Sequence, residues 1–484
     1  ALFMGLSQHQ LSIGFFAWFS LVPFLYVLLN LQSYKSVFVI SFSWGLVYNI
    51  TILYWLSMNI GTNKIIAIIT MFAAVLIMSF NTVLISLIWY RITTYFPKYK
   101  LILFPVIWVS IEYVRSYGIL GFPWISIANS QIDYLFLIQN AEFVGIYGIS
   151  FWIVVINVLL YLILFNYKDR IHIIYTFFIF FLPWVFGYYL YINTYIPKVN
   201  ESALKLSLIQ PNINLQNKRN IDFKDSNIDN LIKVSNIEIE KGSKLIIWPE
   251  SAVPFHRLQF ASQRKKIVNN ILVNNDAYLL TGNIVRNVDD VYNSAILFDQ
   301  YGIEDIYHKR QPVPIAEHVP FSSIFSNLKA LNIGSSNFSK GKKDVVFNID
   351  NISFTGMICF ESIFPEINRR HVNKGADALV YLVNDGWYET EPEPTQHARQ
   401  SIYRAIENRR PVVRCANTGI SMIVNEKGEV QDKIDLNKSG VLTASIMKNH
   451  YKTFYTRFGN VFALILLAIS SMFLFMTLKK NEKK

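Results

Sequence analysis

Along the first 195 residues, apolar runs alternate with short polar breaks. The pattern predicts membrane-spanning helices near 15–31, 36–58, 65–89, 101–114, 142–165 and 171–192. Crossing a hydrocarbon layer takes roughly 20 helical residues, so 101–114 must tilt or extend past its visible ends. Beyond residue 200 the pattern changes: charges, Asn and Asp occur throughout, and apolar runs shrink to strand length. A final span follows at 456-TRFGNVFALILLAISSMFLFMTL-478, then the basic tail 479-KKNEKK-484. The expected organisation is therefore 1–195 transmembrane, 196–455 polar domain, 456–478 transmembrane and 479–484 tail.

Lysines and arginines in short loops set membrane orientation. Arg91, Lys98 and Lys100 fall in one loop, Lys168 and Arg170 in another, and Lys479, Lys480, Lys483 and Lys484 in the tail. Counting spans puts all of these on one side, expected to be the cytoplasm. The segment 115–141 and the domain 196–455 then lie outside it. Parity asks for one more span before Phe15, and 1-ALFMGLSQHQLSIG-14 reads as the end of a truncated one, which makes eight.

Within the polar domain, strands are predicted at 204–210, 244–250, 278–284, 292–298, 352–360, 378–384, 411–417 and 420–425. Helices are predicted at 223–241, 260–275, 361–374 and 395–410. Alternation of strands and helices indicates an α/β domain, and the pair 411–425 adds antiparallel character. An α-β-β-α sandwich and a doubly wound sheet fit this pattern equally well.

Composition agrees with a membrane part plus a domain: 484 residues, 52% hydrophobic and 15% aromatic, with mean hydropathy +0.30. The net charge of +12 flanks apolar segments instead of forming a soluble basic stripe, so nucleic acid is not an expected partner. Two cysteines make no disulfide framework or Cys-rich metal site. The eight histidines show no H-E-x-x-H or paired Cys/His spacing, and no phosphate-binding glycine loop occurs. No metal or cofactor is expected.

Three positions are expected to end strands with reactive groups: Glu250 in 245-LIIWPES-251, Lys309 in 307-YHKRQPVPIAEHVP-320 and Cys359 in 352-ISFTGMICF-360. A rigid sheet positions side chains where its strands give way to loops. A thiol with a carboxylate base and an ammonium neighbour makes a complete nucleophilic set, able to attack a carbonyl and form a thioester. The plainer readings are a core cysteine, a turn-capping acid and a solvated loop lysine. A Cys359–Cys415 disulfide would remove the nucleophile altogether. Support is expected from Glu317, from Asn293, from Glu361 and from Phe360, whose backbone N–H is a candidate oxyanion-hole donor. The loop 384-NDGWYET-390, with Trp387 and Tyr388, is a candidate entrance to an acyl pocket.

The order W-P-E-S, Lys before V-P-x-x-E, I-C-x-E and N-D-x-W is similar to the nitrilase superfamily. Its membrane-embedded branch, the apolipoprotein N-acyltransferases, is resembled over essentially the whole chain. Further motifs carrying the resemblance are 121-GFPWISIANSQID-133, 208-LIQPNI-213 and 396-QHARQSIYRAIENRRPVVRCANTGIS-421. The resemblance implies a membrane α-helical bundle with an α-β-β-α nitrilase-like domain. It implies Glu250 as general base, Lys309 as oxyanion-stabilising lysine, Cys359 as acylated nucleophile and Glu317 as a second essential acid. Phe360 and Glu361 match the two positions after the nucleophile, and Trp387 an entrance tryptophan. The implied reaction moves an acyl chain from a phospholipid, expected to be phosphatidylethanolamine, to the N-terminal amine of diacylglyceryl-cysteine apolipoproteins. The implied setting is the bacterial inner membrane, with the catalytic domain periplasmic and the enzyme a monomer. The chain departs from the family at 313-VPIAE-317, where V-P-F-G-E is frequent, at Phe360, where Tyr is common, and after Gln210, where some members carry a Trp. Two other readings are a membrane-anchored amidase that lets water resolve the thioester, and a non-enzymatic transporter or scaffold. For transport, Glu112 is the main intramembrane candidate.

Overall fold

The computed structural model describes residues 1–165, 171–318 and 337–481. Lys168 and Arg170 of the expected cytoplasmic loop, Pro320 of the 307–320 stretch, and Lys483 and Lys484 of the tail lie outside the described residues. Contacts divide the chain into two units. One is Ala1–Met58, Lys64–Thr194 and Arg457–Lys484; the other is Asn59–Asn63 and Tyr195–Thr456.

The first unit is helical. Among the described residues, five helices are long and apolar enough to cross a membrane: Tyr34–Met58, Lys64–Tyr95, Ala141–Phe165, Ile171–Asn193 and Val461–Lys479. The run 15–31 is not one helix. A 3-10 turn, Gly14–Trp18, precedes the helix Val22–Asn30. The run 101–114 is the 16-residue helix Lys100–Arg115 with Pro105 inside it. Its Glu112 is buried and fully occupied: Oε1 accepts from Trp108 Nε1 and Ile127 N, and Oε2 from Ser126 Oγ at 2.9 Å. Those bonds pin the 121–133 motif against this helix. An acid engaged this way is structural, which removes the main argument for transport.

The second unit is a sandwich. Its strands are β1 (Leu204–Gln210), β2 (Leu245–Ile247), β3 (Tyr278–Arg286), β4 (Val291–Asp299), β5 (Gly302–His308), β6 (Phe347–Ile349), β7 (Ile352–Phe354), β8 (Met357–Ile358), β9 (Leu379–Val383), β10 (Val412–Ala416), β11 (Ser421–Val424), β12 (Val430–Ile434) and β13 (Gly440–Ile446). One sheet runs β13-β1-β2-β3-β4-β5 and the other β12-β11-β10-β9-β8, with β6-β7 a separate hairpin. The helices Lys224–Glu240 and Ala261–Ile271 cover the first sheet. Ile228, Leu231, Ile267 and Ile271 bury themselves there against Ile246, Trp248, Leu279 and Ile296. The helices Pro365–Asn373 and Glu393–Asn408 belong to the second sheet's side. The two sheets face each other: Cys415 Sγ in β10 lies 3.5 Å from the carbonyl oxygens of both Ile209 and Ile247. This is the α-β-β-α arrangement, and it sets aside the doubly wound sheet. Both cysteines are free, so the disulfide alternative is not formed.

The predicted strand 352–360 is really two. β7 pairs with β6 in the hairpin and meets the second sheet only through a single Phe354–Ala378 bridge among the described residues, the strand is interrupted at Thr355 and Gly356, and β8 joins the second sheet parallel to β9. The break lets a short strand deliver Cys359 at its end.

Candidate active site

Glu250, Lys309, Glu317 and Asn293 meet at one end of the first sheet. Glu250 comes three residues after β2, Lys309 immediately follows β5, and Asn293 sits within β4. Lys309 is 1% exposed. Its Nζ lies 2.8 Å from Glu317 Oε2 and 3.9 Å from Glu250 Oε1. Asn293 Nδ2 donates to Glu250 Oε1 at 2.7 Å and to Glu317 Oε1 at 3.3 Å. Its carbonyl accepts from Lys309 N at 2.8 Å, so one strand residue fixes both partners. Glu317 is held in turn by Val313 N, which donates to Oε2 at 2.7 Å. In that turn Ile315 has φ +68°, a conformation that costs a β-branched residue about 1–3 kcal/mol.

Gly282 in β3 makes room for Glu250. A Cβ there would fall 2.6 Å from Glu250 Cα and 2.9 Å from Ser251 N. Both are backbone atoms, so Gly282→Ala has to displace the Glu250 loop. We expect alkylation of Cys359 by iodoacetamide to slow about 100-fold, since an ångström of misplacement has that effect on a reacting pair. Native-like alkylation in the folded variant would show that Glu250 does not serve the thiol.

Cys359 opens a 3-10 turn, Cys359–Ile363, directly after β8. Its φ is +51°, which L-residues rarely adopt, so the neighbours must hold it there. Glu361 supplies much of that restraint. Fully buried, its Oε2 accepts from Ile358 N at 2.9 Å, while Oε1 accepts from Tyr307 Oη and Arg310 N, each at 2.7 Å. One carboxylate thus ties the end of β8 to the chain on both sides of Lys309. Phe360 packs edge-on against Phe364, with ring centroids 5.0 Å apart.

Burial pushes the Cys359 thiol well above its usual range, and the charge of Glu250 adds to this while Lys309 opposes it. The thiol is neutral at rest. Burial likewise raises the Glu250 carboxyl, with Lys309 pulling against it. Burial opposes the Lys309 charge, but Glu317, Glu250 and Cys359 together hold its ammonium above the ordinary range. A held cation, an acid poised above ordinary carboxylates and a neutral thiol therefore act on one another electrostatically. Such a set can move a proton from sulfur to carboxylate and stabilise an oxyanion.

The loop after β9 carries Trp387 and Tyr388. Trp387 O accepts from Ile60 N at 3.0 Å, and Tyr388 Oη accepts from Asn59 Nδ2 at 3.3 Å. Gly61 lies where a Cβ would meet the Trp387 ring at 2.0 Å. The segment Asn59–Asn63 is thus packed against this loop, a contact that no spacing in the sequence announced. Sequence reasoning also missed Asp385, His397 and Arg414. Cys359 Sγ, an Asp385 oxygen and a His397 nitrogen lie within 4.8 Å of one another, donors that suit a metal ion in kind. The Arg414 guanidinium already bonds Asp385 Oδ2 at 2.7 Å and lies 3.2 Å from His397 Nδ1, so positive charge is supplied from within the chain.

A cysteine-bearing turn, a buried lysine and two acids at the edge of a four-layer sandwich fit a cysteine-dependent enzyme of the carbon-nitrogen hydrolase class. The Carbon-nitrogen hydrolase family model matches residues 205–454, and that of the Apolipoprotein N-acyltransferase N-terminal domain matches residues 1–159. An apolipoprotein N-acyltransferase of Geobacter metallireducens is 29% identical over 475 residues, covering 95% of this chain and 90% of that protein. That of Rickettsia bellii is 30% identical over 383 residues, covering 76% and 74%. Among solved structures, an amidase from Nesterenkonia sp. aligns at TM-score 0.40 and 15% identity, over 52% of this chain and 93% of that one. The chain belongs to the apolipoprotein N-acyltransferase family and is a membrane-embedded enzyme.

Proposed function

We propose that Cys359 carries the acyl chain between a phospholipid and a lipoprotein amine. The observation that carries this is a half-buried cysteine, opening a turn at a sheet end, beside a carboxyl and a buried lysine that is shared by two acids. In the first half-reaction Glu250 takes the thiol proton and sulfur bonds to the ester carbonyl carbon. Lys309 stabilises the tetrahedral oxyanion. The carbon–oxygen bond then breaks, and the glycerol oxygen leaves with the proton from Glu250 as lysophospholipid. In the second, the neutral α-amine of the diacylglyceryl-cysteine attacks the thioester. Glu250 accepts the amine proton, the carbon–sulfur bond breaks, and the thiolate regains a proton. Glu317 keeps Lys309 charged and placed. Trp387 and Tyr388 border the acyl entrance, and the Phe360 N–H serves the oxyanion.

The donor is phosphatidylethanolamine, the enzyme a monomer, and its site the inner membrane with the domain 196–455 on the periplasmic face. Transmembrane helices fill 1–195 and 456–478. Purified enzyme incubated with phosphatidylethanolamine and a diacylglyceryl-cysteine peptide tests the acceptor. A peptide gaining one fatty-acyl mass, stable to hydroxylamine, is expected. Free fatty acid released with the peptide unchanged would make the protein a hydrolase. Phosphatidylglycerol with the same chains, working equally well, would remove the headgroup assignment.

A further inference from the structure

A second polar cluster backs the nucleophile turn and has no part in the proton transfers above. His397, on the helix Glu393–Asn408, has Nδ1 2.9 Å from Asp385 Oδ1. Its Nε2 lies 3.2 Å from the carbonyl oxygen of Cys359 and 3.1 Å from Ser362 Oγ. Ser362 Oγ itself donates to the Cys359 carbonyl at 2.9 Å. Asp385 Oδ2 accepts from Arg414, which projects from β10. Asp385 and His397 are each 2% exposed and Arg414 is 0% exposed. The fit is close on the far side too, since a Cβ on Gly419 would fall 2.2 Å from Asp385 Oδ2.

Burying charged groups is costly unless they are paired in good geometry. Here the pairing ends on the Cys359–Ile363 turn, whose first residue is held at φ +51°. Arg414 and His397 overcome the effect of burial and keep the Asp385 carboxyl below its usual range, so it is a fixed anion for the ring to lean on. A ring anchored at Nδ1 and facing a carbonyl and a hydroxyl at Nε2 has one orientation. With Nδ1–H on the Asp385 anion and burial keeping the ring neutral, Nε2 accepts from the Ser362 hydroxyl, which also reaches the Cys359 carbonyl, and so fixes the turn that carries the sulfur.

We propose that Asp385 and His397 form a positioning dyad that holds the Cys359 turn and so aims the sulfur at Glu250 and Lys309. Because Asp385 shares a short loop with Trp387 and Tyr388, the dyad also joins that loop to the nucleophile. The catalytic part of this proposal rests on the acyl-transfer reading above; the restraint on the thiol does not.

The test uses full-length protein in detergent, native and with His397→Ala, His397→Gln and Asp385→Ala. Two rates are measured per titratable Cys359 thiol: alkylation by iodoacetamide, and single-turnover acylation over a range of phospholipid concentrations. His397→Ala and Asp385→Ala are expected to slow both reactions about 100-fold with the half-saturating phospholipid concentration unchanged. His397→Gln, whose amide still reaches Ser362 and the Cys359 carbonyl, is expected to recover about tenfold of that loss. The proposal is overturned if the surviving thiols of the alanine variants react at native rates, which would make the dyad a folding element only. It is equally overturned if the change falls on half-saturation alone, or if Gln is no better than Ala. Native protein that alkylates normally yet is never acylated by phospholipid would sink the acyl-transfer reading, and the alkylation rates would still decide the dyad.

Discussion

Glu250→Gln is expected to lower the rate of Cys359 acylation about 1,000-fold, within the range that a positioned general base contributes. The size follows from the resting state of the thiol. Burial and the nearby acid hold it neutral at physiological pH, so sulfur must lose its proton as it attacks. Gln preserves the hydrogen bond from Asn293 but accepts no proton. The pH profile supplies a second signature. The Glu250 carboxyl is raised by burial, so its basic form appears only above the ordinary carboxylate range. Native acylation should therefore rise with pH through that raised value and then level off. In Glu250→Gln the rate should keep climbing, about tenfold per pH unit, because the thiol has to ionise by itself. Stopped-flow acylation across pH measures both. A variant that retains the native plateau would assign the base elsewhere, with Glu317 the next candidate.

Lys309→Met is expected to damage stability as well as activity. The lysine is 1% exposed and compensates two carboxylates, one 2.8 Å away. Removing one partner of a buried ionic cluster typically costs about 3–5 kcal/mol. Losing an oxyanion donor costs about 100- to 1,000-fold in rate. The sign of the pH effect is fixed. Lys309 is the chief influence pulling the Glu250 carboxyl down, so its loss raises that carboxyl further. A group raised in the folded state contributes stability that is lost as pH climbs through its folded pKa. The deficit against native protein should accordingly be smaller near about pH 5 than near about pH 8 in thermal melts. An equal deficit at both would show that the acids are not left charged.

Much of the site was legible because its members end strands with local signatures. The apolar runs before Glu250 and Cys359 mark buried strands, and the candidate reactive residue follows each. Two of the strands that went unread are polar. β12, 430-VQDKI-434, is exposed along most of its length, and β5, 302-GIEDIYH-308, carries two acids at a sheet edge. Edge strands solvated on one side lack a continuous apolar run. β13 pairs with β1 across more than 200 residues of sequence, which no local window contains. The same distance hid the dyad. Asp385, His397 and Arg414 sit on a loop, a helix and a strand, and only the parallel pairing of β9 with β10 brings them together. Phe360, where Tyr is common, sets its ring edge-on against Phe364. The carboxylate next to it, Glu361, turns out to be the anchor of the turn and is bonded on both sides of the site.

The measurement that bears most directly on this account is the intact mass of the purified protein after incubation with phospholipid alone, beside Cys359→Ala. One fatty-acyl mass on the native chain, released by hydroxylamine and missing from the variant, is the predicted result. An unmodified native chain whose Cys359 still alkylates freely would contradict it, and so would an adduct that persists in Cys359→Ala.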